Sequence, residues 1–273
     1  WSSGYKIDVE VDGEEKEYFL KVIHRPNHAE MALGEFEKSQ KAMFQYIPNN
    51  VSIPLAYGTF EHEPKSFFLT IFRELRDKTP DPSKLVHVLE KLHTLSSSPT
   101  GKFGFHVSTF NGVVPIINEW CDTWEEYFSR QFQSDIRWEQ SIRGPDSDFD
   151  KVSDEFFQKV VPRLLRPLQT GGRSIKPTLV HGDLWHGNAQ IDMTTEEVIL
   201  FDSCCCYAHN ELELHMMREP RYRFTGDYIS KYKEVMQPSE PKEDFDDRNS
   251  LYAIVKEEMQ RLIDKYPTGF DSF

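Results

Sequence analysis

The chain has 273 residues, 38% hydrophobic and 13% aromatic, enough for a sizeable core in one large domain or two lobes and incompatible with a disordered or low-complexity protein. Its 32 basic and 45 acidic residues leave a net charge of −13, which repels phosphate backbones and anionic lipid, so nucleic acid and membrane are set aside as partners. The apolar runs are too short to span a bilayer, and four cysteines, three of them consecutive at Cys204–Cys206, make a poor disulfide scaffold, so a reduced, cytoplasmic protein is expected.

The chain opens with strands. Ile7, Val9 and Val11 alternate with polar residues, Asp12-Gly13 supplies a hairpin turn, and Tyr18–Ile23 returns as a second strand. A helical pattern follows from Glu30 to Tyr46, ended by Pro48, and Val51–Phe60 and Ser66–Phe72 read as further strands. Beyond Leu75 the composition changes. Asp81-Pro82-Ser83 starts a helix carrying Leu85, Val88, Leu89, Leu92 and Leu95 at helical spacing. Further helices are predicted over Thr123–Phe132, Asp154–Leu168, Asp227–Met236 and Phe245–Tyr266, the last with Leu251, Ile254, Val255, Leu262 and Ile263 on one face. Short strands near Thr178–Val180 and Val198–Phe201 flank a polar loop, and linkers are expected at Arg76–Pro82 and Arg143–Asp150, the second as only a surface loop. The fold class is therefore α+β: a small strand-rich N-terminal lobe, residues 1–75, and a mainly helical C-terminal lobe, residues 76–273.

The loop His181-Gly182-Asp183-Leu184-Trp185-His186-Gly187-Asn188, followed by Ile199-Leu200-Phe201-Asp202, carries the strongest chemical pattern. An Asp, an Asn five residues later and an Asp at an apolar strand end form the layout of a kinase catalytic loop. Asp183 would accept a hydroxyl proton, while Asn188 and Asp202 would hold the Mg²⁺ that neutralises a triphosphate. A polar loop capping two strands carries the same short pattern. Lys21, set between Leu20 and Val22, favours the kinase layout, because Glu35 follows fourteen residues later on a helix and could pair with it. Zinc is disfavoured: His181, His186 and the cysteine run lack regular ligand spacing. Trp185 can stack on a sugar or pack in the core, and its place two residues past Asp183 favours the sugar. Trp120 and Trp124 share a helical face and read as core, and His93 reads as a structural histidine.

These residues resemble the fructosamine/ketosamine-3-kinase family, distant relatives of the aminoglycoside and choline phosphotransferases. The likeness rests on the His181–Asn188 loop, on Lys102-Phe103-Gly104-Phe105-His106, on Asn118-Glu119-Trp120 with Trp124, and on Gly34-Glu35, His209 and Glu211. It implies a bilobal protein-kinase-like fold and ATP- and Mg²⁺-dependent phosphorylation of the sugar 3-hydroxyl of a ketosamine, on a glycated protein or a small amine. By the same resemblance Asp183 is the base, Asn188 and Asp202 are metal ligands, and Lys21 and Glu35 position phosphates. Ile71, Phe72 and Arg73 fall at an adenine-binding hinge, and Trp185 and His181 fall on the sugar side. The family's glycine-rich loop is reduced to Trp1-Ser2-Ser3-Gly4, its remainder expected upstream. His186 replaces a small hydroxyl residue, Asp202-Ser203-Cys204-Cys205-Cys206 replaces Asp-Pro-Ala-Ser-Phe, and His215 replaces Ala. A small-molecule phosphotransferase of aminoglycoside or choline kinase type is the first alternative, and a nucleotide-binding pseudokinase the second.

Overall fold

The computed structural model describes residues 2–224, 226–253 and 256–272. Strand β1 (Ser2–Val11) turns at Asp12-Gly13 into β2 (Glu14–Ile23). Both turn residues have positive φ, 57° and 82°, the geometry whose twist matches the flanking strands. The helical run that follows is continuous but not uniform: α1 (His28–Ala32), a π-helical stretch at Leu33–Gln40, then α2 (Lys41–Tyr46). Strands β3 (Pro54–Thr59) and β4 (Ser66–Ile71) complete an antiparallel sheet in the order β1-β2-β4-β3. The helical run covers one face of that sheet, where Phe36 stacks on Phe68 with ring centroids 5.2 Å apart.

The strand β5 (Leu75–Arg76) leads to α3 (Pro82–Leu95), capped by Asp81, whose carboxylate accepts from the Ser83 N–H. Its buried face carries Leu85, Val88, Leu89 and Leu92, as the spacing predicts, with Val86 added; Leu95, at the last turn, is exposed instead. A hairpin of β6 (Thr109–Asn111) and β7 (Val114–Ile116) precedes α4 (Trp124–Arg143), which runs eleven residues past the predicted end at Phe132. Only Trp124, Tyr127 and Phe128 of α4 are buried, so the apolar repeat fades while the helix continues along a cavity. The linker expected at Arg143–Asp150 shrinks to a turn at Gly144, because α5 (Ser147–Glu155), a π-helical stretch at Phe156–Val160, and α6 (Val161–Leu165) follow at once.

Strands β8 (Thr178–Val180), β9 (Ala189–Asp192), β10 (Val198–Leu200) and β11 (Cys206–Ala208) form two small sheets that hold the polar loop. Strand β11 pairs with β8, and β9 pairs with both β10 and β5. The linker predicted from Arg76 therefore begins inside a strand paired with β9, at the end of the polar loop. The chain closes with α7 (Gly226–Val235), α8 (Phe245–Tyr252) and α9 (Lys256–Lys265). The single helix expected over Phe245–Tyr266 is thus two helices, α8 closing at a turn on Ala253; Ile254 and Val255 lie outside the described residues. Trp124 is fully buried and donates from Nε1 to the Tyr252 hydroxyl at 2.8 Å, while Trp120 stacks on Tyr207. His93 is fully buried and shares a 2.7 Å hydrogen bond with the Tyr232 hydroxyl, a structural position. Among the described residues no helix is long and apolar enough to cross a membrane.

Candidate active site

Lys21 sits on β2 opposite Gly4 of β1 and Phe68 of β4, its side chain almost wholly buried. Burial of an ammonium demands partners, and two carboxylates supply them: Glu35 Oε1 at 2.5 Å and Asp202 Oδ1 at 2.8 Å. Glu35 stands on the π-helical stretch. A Cβ on its neighbour Gly34 would come within 2.4 Å of the Ser108 carbonyl, so the helix can lie this close only because residue 34 is glycine. One ammonium cannot neutralise both acids. Burial pushes the Glu35 carboxyl up to about 8 against the pull of Lys21. The protein around Asp202 also opposes ionisation, yet Lys21 outweighs it and holds that carboxyl below the ordinary range. Asp202 has φ +55°, a costly conformation for a non-glycine residue and one found at functional sites.

The loop between β8 and β9 is built on a buried acid. Glu213 accepts the His181 N–H at 2.6 Å and the Gly182 N–H at 3.2 Å. Burial disfavours its charge, but His93, His181 and these N–H groups keep it below its usual range. Gly182 has φ +85°, and a Cβ there would meet the Cys204 carbonyl at 2.7 Å. The His181 ring is fully buried. Its Nε2 donates to the Phe201 carbonyl at 2.9 Å and its Nδ1 accepts from the Asp183 N–H at 3.3 Å, since a carbonyl can only accept and an amide only donate. Asn188 donates from Nδ2 to the Asp183 carbonyl at 2.8 Å and to Asp183 Oδ2 at 3.0 Å, leaving its Oδ1 as an acceptor. Burial raises the Asp183 carboxyl, with His181 and His215 pulling it back down.

Two cavities meet this loop. One, of about 550 Å³, is lined by Ser2, Gly4, Lys21, Ile71, Phe72, Arg73, Gly187 and Asp202 among others. The other, of about 680 Å³, reaches Gly182, Cys204, Cys206 and His215 at its floor and runs along α4 past Phe132, Asp135 and Trp138. Gly187 of the loop lines the first and Gly182, next to Asp183, lines the second. The structure thus brings together Lys21, Glu35, Asp183, Asn188 and Asp202, with Ile71, Phe72 and Arg73 along the wall of the smaller cavity. The Ile71 N–H is committed to the Ile53 carbonyl and the Phe72 N–H to Glu17, while the Arg73 guanidinium binds Asp192 at 3.0 Å. Trp185 lies half-buried over Gly187, edge-on to His186 and Tyr222, and Tyr222 rather than Trp185 lines the larger cavity. Sequence reasoning missed Glu213 altogether: it lies 32 residues from the N–H groups it receives, and no spacing rule connects them.

The cysteine run is structural. Cys204, Cys205 and Cys206 are buried and free of disulfides, the Cys205 N–H donates to Ser39 on the π-helical stretch, and burial pushes the Cys206 thiol up to about 12. Among the described residues no group of three or more His, Cys, Asp or Glu is placed to hold a metal ion. The donors at hand, Asp202 and the Asn188 amide oxygen, are hard oxygens. One carboxylate plus phosphate and water oxygens is a set that suits Mg²⁺.

The fructosamine kinase family model matches residues 4–257. Protein-ribulosamine 3-kinase, chloroplastic, from Oryza sativa subsp. japonica is 34% identical over 218 residues, 78% of this chain and 58% of that protein. The chain therefore spans less than two thirds of that relative's length. A Thermobifida fusca protein described as a fructosamine-3-kinase superposes with a TM-score of 0.64 at 18% identity, covering 96% of this chain and 88% of that one. The aminoglycoside phosphotransferase APH(4)-Ia, in a ternary complex with ADP and hygromycin B, superposes at 0.55 with 12% identity, covering 96% and 90%. At those identities the two structures share the fold: a strand-rich N-terminal sheet beside a helical C-terminal part, the α+β kinase-like arrangement.

Proposed function

This chain belongs to the fructosamine kinase family, and from that membership we propose that it transfers the γ-phosphoryl group of ATP to the 3-hydroxyl of a ketosamine, on a glycated protein or a small amine. One observation carries the reading: the loop that bears Asp183 borders both cavities, Gly187 lining the one walled by Lys21 and Asp202 and Gly182, next to Asp183, lining the larger one suited to a sugar. The smaller cavity takes the nucleotide. With the Ile71 and Phe72 N–H groups committed, the Phe72 carbonyl and the Arg73 N–H are the hinge groups left to meet adenine. Lys21, clamped by Glu35, binds phosphate oxygens. Asp202 and Asn188 hold Mg²⁺, which when bound neutralises charge on the triphosphate.

Asn188 keeps Asp183 Oδ2 occupied and turns its other oxygen to the acceptor. That oxygen takes the proton of the attacking hydroxyl as the new O–P bond forms and the bridging P–O bond to ADP breaks. A carboxyl raised by burial is the better base for this step. His181, buried with both ring nitrogens engaged, holds the loop and the Phe201 carbonyl rather than meeting the sugar. The larger cavity pairs aromatic walls, Phe132, Trp138 and Tyr222, with the acids Asp135, Glu139 and Glu219, a lining suited to a sugar bearing a cationic amine. The same lining suits an aminoglycoside, which keeps that acceptor class as the second reading. Four free, buried thiols fit a reducing compartment such as the cytoplasm.

The test is ADP release with ribulosamine, fructosamine and aminoglycoside acceptors. Turnover on a ketosamine is expected. Turnover on the aminoglycoside alone moves the protein to the second reading, and Mg-ATP binding without turnover on any acceptor makes it a pseudokinase.

A further inference from the structure

His215 lies on the 3₁₀ segment Asn210–Arg218 and faces the larger cavity, with Gly182, Cys204, Cys206 and Met216 around it. Its Nδ1 makes a 2.7 Å hydrogen bond to the Leu212 carbonyl. A carbonyl can only accept, so Nδ1 carries the hydrogen, and in the neutral ring Nε2 is left with its lone pair. The ring stays neutral because burial lowers its proton affinity. Among the described residues no protein group hydrogen-bonds to Nε2. His93, His181 and His209 differ: each has both ring nitrogens engaged by protein partners.

Of the residues that line this cavity with His215, Gly182, Cys204, Cys206, Leu212 and Met216 bring no strong side-chain acceptor, the thiols being held protonated by burial, while Asp135, Glu139 and Glu219 bring carboxylates. Asp183 lies within electrostatic reach of the His215 ring, and each perturbs the other's proton affinity. Gly182, next to Asp183 in the chain, lines the cavity together with His215, so the Asp183 carboxylate and the imidazole lone pair can serve as acceptors for two neighbouring hydroxyls. One hydroxyl gives its proton to Asp183 and is phosphorylated. The other donates to Nε2.

We infer that His215 is a specificity-determining residue of the acceptor site, receiving a hydrogen bond from the sugar hydroxyl adjacent to the one that reacts. The inference rests on the kinase reading above and assigns a role to the one ring nitrogen of His215 that has no protein partner among the described residues. It predicts that the enzyme selects acceptors with an intact vicinal diol, and that the selection is lost with the imidazole.

The experiment is steady-state ADP release with ribulosyl-lysine and with its 4-deoxy analogue, on the wild-type chain, His215→Ala and His215→Gln. Losing one neutral hydrogen bond should cut kcat/KM for the parent acceptor about tenfold in His215→Ala, mainly through KM, with the KM for ATP unchanged. Glutamine can place an amide oxygen near the position of Nε2 and should recover most of that loss. The deoxy analogue should lower the wild-type value to that of the variant, and His215→Ala should then have no further effect. Equal losses on both acceptors, or an unchanged kcat/KM for the parent, would overturn the assignment. If His215→Ala does not fold, the analogue on the wild-type chain decides: full activity without the adjacent hydroxyl overturns it. Should the wild-type chain turn over only an aminoglycoside, the ketosamine reading fails by itself. The same variants, run on that acceptor and on its analogue lacking the neighbouring hydroxyl, then judge His215 separately.

Discussion

Two clusters of charge, Lys21 with Glu35 and Asp202, and Glu211 with Arg248, are built on opposite principles. In the smaller cavity Lys21 is shared by Glu35, which burial holds toward its neutral form, and by Asp202. Glu211 and Arg248 form a closed pair: Nε and Nη2 of the guanidinium bind the two carboxylate oxygens at 2.8 and 3.1 Å. Arg248 also donates to the carbonyls of Pro241 and Ser239, and Glu211 accepts the Ser239 N–H. The second cluster is balanced, saturated and out of reach of solvent. The first is open, and the Asp202 side chain is 42% exposed. Burial alone therefore does not distinguish a structural charge from a chemical one. Saturation does: a closed pair fixes a fold, whereas a carboxylate left exposed at a cavity is free to meet a cation.

The comparison can be broken from either side. The largest effect is expected from Asp202→Ala, which removes the exposed acid and should take Mg-ATP affinity below calorimetric detection while the melting temperature holds. Unchanged affinity would place the cation elsewhere. Asp183→Asn should leave nucleotide binding intact and lower turnover by roughly 10²–10⁴-fold, the usual contribution of a general base. A loss under about tenfold would remove Asp183 from that role. On the balanced side the signs reverse. Arg248→Met strands the Glu211 carboxylate in the core and should cost about 3–5 kcal/mol in denaturant titrations, with turnover per folded molecule retained. A shift under about 1 kcal/mol would mean that the pair is not what holds this region.

The smallest effect is a pH dependence. His209 is fully buried between the Tyr252 and Ser239 hydroxyls, and burial lowers its pKa to about 4. The unfolded chain binds the proton more tightly, so stability is complete above about pH 6.5 and falls as pH drops toward 4, by about 3 kcal/mol. Unfolding free energies at pH 7 and 4.5 for the wild-type chain and His209→Gln check the sign. The variant should lose that part of the slope, and equal slopes would show that His209 titrates alike in the folded and unfolded chain.

Legibility in the sequence followed distance along the chain. Lys21 stood out because a lysine inside an apolar strand is expensive unless paired, and Glu35 lay within one helix of it. The Asp183–Asn188–Asp202 spacing spans one loop and one hairpin. By contrast, the π-helical stretch that carries Glu35 left no mark, since a widened turn changes backbone geometry without changing composition. The short strands β5 and β9 also escaped, because two to four residues are too few to show a period. Trp185 was assigned by its position in the loop. Its packing over Gly187 depends on a turn whose shape the residues alone do not specify.

What the amino-acid order determined by itself is the local layer: the hairpin at Asp12-Gly13, the capped helix after Asp81, and the identities of the acid, amide and ammonium groups able to do phosphoryl chemistry. These depend on φ preferences, caps and periodic apolar faces, each settled within a few residues. Only the tertiary structure decided that Lys21 meets Asp202 across 181 residues, that Glu213 receives the N–H groups of His181 and Gly182, and that His215 bonds through Nδ1 to the Leu212 carbonyl while lining the larger cavity. The reason is physical. A buried polar group takes whichever partner the packed core brings within about 3 Å, and the sequence separation of that partner enters only through the chain entropy already spent in folding.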